Sequence, residues 1–268
     1  GMQEWLRKFQ LTKFEDLIAM ISLYRPGPME KLPEYIGRRH GDIKIEYDHP
    51  LLETILKETY GVFVYQEQIQ QTAGSLAGFS MGQGDLLRRA MGKKIQSIMD
   101  EQKHLFVKGC KDVNQISEKV ASKIYDDIQQ FASYGFNKSH AAAYALISWQ
   151  TAYLKAHYPV EFMAAVLSCE MGNPDKLANF IAECLNMGIQ VLPPSVNAGG
   201  SRFKSEDGGI RFGLTGIKNV GEESIERMVR ERSANGPYEG ITDYCIRLEA
   251  NKRELEALVQ VGAFDFTH

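Results

Sequence analysis

Apolar residues recur at three- and four-residue intervals along most of this chain. The first clear instance is TKFEDLIAMISLY, where Phe14, Leu17, Ile18 and Ile21 share one face of a predicted helix. Thr12, with Glu15 three residues on, reads as its capping-box start. RPGPM then ends it, because proline lacks the backbone N–H a helix needs. KLPEYIGRRHG and HPLLETILKETYG read as two short helices closed by Gly41 and Gly61. VFVYQEQIQQTAGSLAGFS begins strand-like and turns helical at Gln66. MGQGDLLRRAMGKK, IQSIMDEQKHLFVKGCKD and SEKVASKIYDDIQQFASYG follow as helices rich in good helix formers.

The most regular segment is NKSHAAAYALISWQTAYLKAHYP, with Ser139 as its expected N-cap and Pro159 at its end. Ala141, Ala145, Ser148, Ala152 and Ala156 form a small-residue stripe, read as a buried packing face. DKLANFIAECLNMGI predicts a further helix. The stretch QVLPPSVNAGGS after it carries two prolines and two glycines, and is the best domain boundary in the chain. Beyond it, RFKSEDGGIRFGL reads as a β-hairpin, and NVGEESIERMVRER and NKRELEALVQVGAF read as helices. The expected fold is mainly α: a multi-helix domain followed by a small α+β region with one β-hairpin.

Composition narrows the function classes only a little. The 268 residues carry a formal net charge of −3, so affinity for nucleic acid must come from local patches. Four scattered cysteines without a CxxC pair exclude a zinc ribbon and a disulfide scaffold, and fit a reducing cytoplasm. No apolar run approaches the roughly 18 residues that span a bilayer, and GMQEWLRKFQ lacks a signal-peptide layout. Gly1 is either native or the remnant of a tag, and the start reads as cut from a longer chain.

The candidate chemistry is that of a partial site. Two-metal phosphoryl transfer commonly uses Asp-x-Asp, which is not found here, and Asp126 and Asp127 read as a solvated helix face. The histidines show no HxH or HExxH spacing, and no nucleophile elbow marks a hydrolase. What does stand out is LLRRAMGKK, with four cations in a stretch, Leu86 to Met99, that holds no Asp or Glu. It is either a solvated basic face or a site whose counter-charge arrives with a ligand. Arginine matches phosphate oxygens with a planar fork, while lysine acts as a point charge. On a helix Arg88 and Arg89 diverge by about 100°, so one can face a cleft while the other pairs back to Asp85.

YGFNKSHAAAY offers a second anion site, a helix start flanked by Lys138 and His140, with Tyr134 and Phe136 placed to stack on a base. The plain alternative is a capped helix start with two core aromatics. GLTGIKNVGEESIERMV fits a helix–hairpin–helix turn, in which backbone N–H groups around a hairpin glycine meet a DNA phosphate. As a pattern this is weaker, with Lys218 and Arg227 in modest support.

SLYRPGPM, YGVFVYQEQI, LAGFSMGQGDLLRRAMGKK, FASYGFNKSHAAAYALISWQTAYLKAHYPVEFMAAVL and LPPSVN occur here in that order, followed by IRFGLTGIKNVG and LEALVQVGAFD. Over nearly the whole chain this resembles the catalytic alpha subunits of bacterial DNA polymerase III, the C-family replicative polymerases. The resemblance implies fingers over residues 1–170 and a helix with a Pro/Gly linker over 171–200. Over 201–268 it implies a small duplex-binding region with the hairpin and the helix–hairpin–helix.

It also implies template-directed DNA synthesis, with Arg88, Arg89, Tyr134, Asn137, Lys138, Ser139 and His140 at the incoming nucleotide. Lys93, Lys94, Lys218, Asn219, Val220 and Gly221 would lie along the DNA. No catalytic residue and no metal ligand is expected within the chain: Mg2+ and its aspartates belong to an upstream palm, and the fragment alone should not extend a primer. Template-primer DNA and dNTP are the implied partners, with the sliding clamp and other replisome subunits for the longer protein, in the cytoplasm and without a membrane.

Three other readings of the residues stay open: a non-enzymatic DNA-binding module built on the helix–hairpin–helix and the basic helix, a different nucleotidyltransferase without its catalytic part, and a helical scaffold. The last leaves the acid-free cation cluster unexplained.

Overall fold

The computed structural model describes residues 1–93, 96–132 and 134–266. Among them are fourteen α-helices and one three-stranded sheet, a mainly α fold as the periodicity predicts. The chain divides into two compact units, Gly1–Ser148 and Trp149–His268.

The first unit holds α1 (Met2–Phe9), α2 (Phe14–Leu23), α3 (Leu32–His40), α4 (Pro50–Leu56), α5 (Gln66–Ala77), α6 (Met81–Lys93), α7 (Gln96–Asn114) and α8 (Glu118–Ala132). RPGPM becomes a sharp corner leading into a 3-10 turn at Pro28–Lys31. One core gathers Ile69, Leu76, Phe106, Tyr125 and Ile128, where α5 lies along α7 and α8. At Gly109 an added Cβ would stand 2.3 Å from the Ala77 carbonyl oxygen, so α7 approaches α5 to a distance only glycine permits. A second core joins Phe9, Met20, Leu23, Leu32, Tyr35 and Tyr65 to the start of α9 (Lys138–His157) through Ala141 and Ala145.

One buried ion pair locks the first three helices. Arg39 donates from Nε to Asp16 Oδ2 at 3.1 Å and from Nη1 to the Phe9 carbonyl at 2.7 Å. Tyr60 Oη donates to the other Asp16 oxygen at 3.2 Å. Such a pair gives little net stability against an apolar replacement, yet losing one partner strands a buried charge.

The second unit holds α10 (Pro159–Cys169), α11 (Pro174–Asn186), β1 (Gln190–Leu192), β2 (Lys204–Glu206), β3 (Gly209–Arg211), α12 (Glu222–Asn235), α13 (Ile241–Leu248) and α14 (Lys252–Gln260). The predicted hairpin is present: β2 and β3 run antiparallel with Ser205 opposite Ile210, around Gly208 at φ 93°. β1 adds on the other side of β3, parallel, with Val191 opposite Ile210. The Pro- and Gly-rich stretch read as a linker therefore begins with a strand. Met163, Leu167 and Cys184 pack with Ile210 of β3, and Leu214, Ile225, Met228, Tyr238 and Leu258 form a separate core.

Local readings need three corrections. α2 starts at Phe14 after Lys13, with no side-chain cap: Asp16 instead reaches back to the Thr12 N–H at 3.4 Å, so Thr12 is not the cap. α9 starts at Lys138, because Asn137 Oδ1 takes the His140 N–H at 2.9 Å, and Ser139 lies inside the helix. The small-residue stripe is buried only at Ala141 and Ala145, while Ala152 and Ala156 are exposed. Only the first two turns of α9 enter the core around α2 and α3.

Candidate nucleotide and nucleic-acid interface

Local sequence fixes the scaffold of the site. Gln68, almost fully buried, accepts the N–H groups of Val64 and Tyr65 on its side-chain oxygen at 2.8 and 2.9 Å. Its amide donates to Thr59 Oγ1 at 2.8 Å. This holds Val64 and Tyr65 just ahead of α5, with Tyr65 extended, and the YGFN segment pairs with this entry to the helix. Phe136 N–H donates to the Val64 carbonyl at 3.2 Å, and Gln66 N–H donates to the Phe136 carbonyl at 2.9 Å.

Gln66 then joins the two segments singled out in the sequence. Its side-chain amide donates to the Gly135 carbonyl at 3.0 Å, and its oxygen accepts Arg88 Nη1 at 3.2 Å. The cationic helix α6 and the entry to α9 therefore border one surface of the first unit. Arg88 is half-buried, Arg89 is exposed, and so are Tyr134, Asn137, Ser139 and His140. Lys93 ends α6, but its side chain lies outside the described residues, as does all of Lys94.

The reading that one arginine pairs back to Asp85 while the other faces a cleft needs correction, because both pair with it. Asp85 pairs with both arginines, through Oδ1 to Arg88 Nη2 and Oδ2 to Arg89 Nε, each at 2.7 Å. The hydrogen bond from Arg88, with the charges of Arg88 and Arg89 behind it, holds the Asp85 carboxyl below the usual carboxylate range.

The start of α9 is also internally satisfied. Glu67 accepts the Lys138 N–H on both carboxylate oxygens at 3.1 Å and the Asn137 side-chain amide at 3.0 Å. Lys138 Nζ pairs with Glu58 at 2.7 Å and lies 5.3 Å from the centre of the Tyr65 ring. What α9 leaves open is aromatic: His140 packs against Phe136 and Tyr144, with ring centres 5.5 and 4.8 Å apart. Tyr144 is more than half exposed and was missed in the sequence, although its spacing of four from His140 is readable there. Arg25, Gln66 and Glu67 were missed as well. Tyr134 also lines a cleft of about 460 Å³ with Gly27, Lys31, Lys123 and Phe131.

In the second unit, Lys218, Asn219 and Gly221 are exposed on the turn before α12, and Val220 is buried in the core below. Asn219 sits at φ 70°, which bends the chain into Gly221, the N-cap of α12. Gly221 supplies no side-chain cap, so the first N–H groups of α12 remain uncapped by it, although Glu222 and Glu223 occupy the same turn. The element before this turn is a single 3-10 turn at Leu214–Gly216.

Among the described residues no group of three or more His, Cys, Asp or Glu side chains could hold a metal ion. Among them too, no helix is long and apolar enough to cross a membrane.

Residues 1–114 match the finger domain of the bacterial DNA polymerase III alpha subunit, and residues 188–268 match a helix–hairpin–helix motif. DNA polymerase III subunit alpha of Chlamydia pneumoniae is 49% identical over 268 residues, covering 99% of this chain and 22% of that protein. The Thermus aquaticus subunit is 50% identical over 273 residues, again 99% and 22%. That of Neisseria meningitidis is 48% identical over 269 residues, 99% and 23%. The chain thus spans less than a quarter of the relatives it matches.

Proposed function

Because the chain matches a segment of bacterial DNA polymerase III alpha subunits over its whole length, we propose that it is the part of such a polymerase that receives the incoming nucleotide and grips template-primer DNA. The observation that carries this is the Gln66 bridge, which places the Arg88 guanidinium beside the Tyr134–His140 segment.

Arg88 and Arg89 bind the triphosphate. Asp85 orients their forks without covering them: each arginine uses only part of its five donors on that carboxylate. As pyrophosphate leaves, charge grows on its oxygens, and guanidiniums already in place stabilise it at no reorganisation cost. Tyr134 and the His140 ring, backed by Phe136, face the base. Asn137, Lys138 and Ser139 set the start of α9 beneath them. Of these, Asn137 and the Lys138 N–H act through Glu67 and not on the nucleotide directly, since that carboxylate already occupies them.

Lys218, Asn219 and Gly221 meet the duplex backbone at the helix–hairpin–helix turn, with Val220 holding the turn from below. Lys93 and Lys94 serve as further phosphate contacts. The attacking primer hydroxyl and the Mg2+ ions are held outside this segment. The fragment alone is therefore inactive, and the sliding clamp and other replisome subunits bind elsewhere on the longer chain, in the cytoplasm.

The test is Arg88→Ala and Arg89→Ala, made singly in the full-length subunit. A fall in kcat/KM for nucleotide with unchanged DNA affinity supports a triphosphate clamp. A loss of DNA affinity with a shallower salt slope would reassign both arginines to the DNA backbone.

A further inference from the structure

Arg25, in the RPGPM corner, contacts the same segment as Gln66. Its Nε donates to the carbonyl of Ser22 at 3.0 Å, in the last turn of α2, where helix carbonyls lack internal partners and attract a cation. An Nη nitrogen donates to the Tyr134 carbonyl. The guanidinium carbon lies 4.6 Å from the centre of the Phe136 ring. Burial lowers its pKa somewhat, but an arginine keeps its proton in a protein.

Two further features tie this corner to residues 134–136. Gly27 stands at φ +94°, and a Cβ there would come within 2.4 Å of the Tyr134 ring, so the ring lies directly on the glycine backbone. The corner is closed by the Met29 N–H donating to the Arg25 carbonyl at 3.1 Å. Arg88, Arg89 and Lys138 each have a carboxylate partner, whereas Arg25 meets two carbonyls and a ring.

We propose that Arg25 is a positioning residue of the nucleotide site: its planar fork joins the end of α2 to the Tyr134 carbonyl and the Phe136 face. It thereby fixes the segment from which Tyr134 and His140 project. The inference rests on the nucleotide-binding reading above. The role needs the fork's shape as well as its charge. An ammonium is a point charge and cannot reach two carbonyls and cover a ring in one plane.

The experiment uses the full-length polymerase subunit carrying Arg25→Gln or Arg25→Lys, with Arg88→Ala alongside. Single-nucleotide incorporation, template-primer affinity and amide hydrogen exchange over residues 134–140 are measured. Both Arg25 variants are expected to exchange faster in that stretch and to lose kcat/KM for nucleotide on the order of tenfold or more, as misplaced binding groups do. DNA affinity should hold.

Restoration of both readouts by Arg25→Lys would overturn the proposal, since charge alone would then suffice. Unchanged exchange would overturn it as well, and so would unchanged kinetics while Arg88→Ala is impaired. Faster exchange in the Arg25 variants beside a silent Arg88→Ala sustains the positioning of the segment and removes the nucleotide reading instead.

Discussion

Glu67 receives the backbone N–H of Lys138 on both oxygens of its carboxylate, at 3.1 Å each. A side chain from the first turn of α5 thus neutralises the positive end of α9, which a phosphate would otherwise find open.

Glu67→Ala should lower stability by about 1–2 kcal/mol, the usual cost of a lost cap with its charge. The same variant should gain stability from added inorganic triphosphate more steeply than the parent does. Equal responses in thermal melts would show that Glu67 does not compete with an anion there.

The Asp16–Arg39 pair should dominate the stability of the first three helices. Arg39→Met leaves the Asp16 carboxylate, which is 2% exposed, with only the Tyr60 hydroxyl and the weak Thr12 N–H contact. A loss of about 3–5 kcal/mol in urea unfolding is expected. A loss below 1 kcal/mol would mean that the pair is not buried in solution.

Asp85 gives a pH signature with a definite sign. Its folded pKa lies below the unfolded value, so the stability it contributes is fully present above the ordinary carboxylate pKa of about 3.9 and is lost as pH falls through the depressed folded value. Asp85→Asn should therefore be less stable than the parent at neutral pH and equal to it in strong acid. A gap that persists at pH 2 would point to packing.

Cysteine reactivity should divide sharply. Cys110 is fully buried in the core of α5, α7 and α8, where the lack of water pushes its thiol up to about 12, while Cys169 is exposed. Iodoacetamide at pH 8 should label Cys169 in the native protein and Cys110 only after unfolding. Native labelling of Cys110 would reveal opening of that core.

Helix existence was legible because the pattern that buries one face is written in the order of residues. Gly41, Gln66 and the β2–β3 turn fall where the sequence places them. α1, α10 and α13 were not read from the sequence, although α3 and α4, of nine and seven residues, were, because Gly41 and Gly61 punctuate the chain after them. β1 escaped because three residues beside two prolines become a strand only when β3 arrives to pair with them.

The site divides in the same way. The sequence by itself determined which residues carry charge and ring surface: LLRRAMGKK, YGFNKSH and the glycine turn before α12. It could not show what those charges meet. That Asp85 pairs with its neighbours is local to α6, but that Glu67 caps α9 from 71 residues away in sequence, and that Arg25 grips the Tyr134 carbonyl, were decided only when α2, α5 and α9 packed together. Hydrogen-bond partners answer to distances of about 3 Å in space, and separation along the chain does not fix those distances.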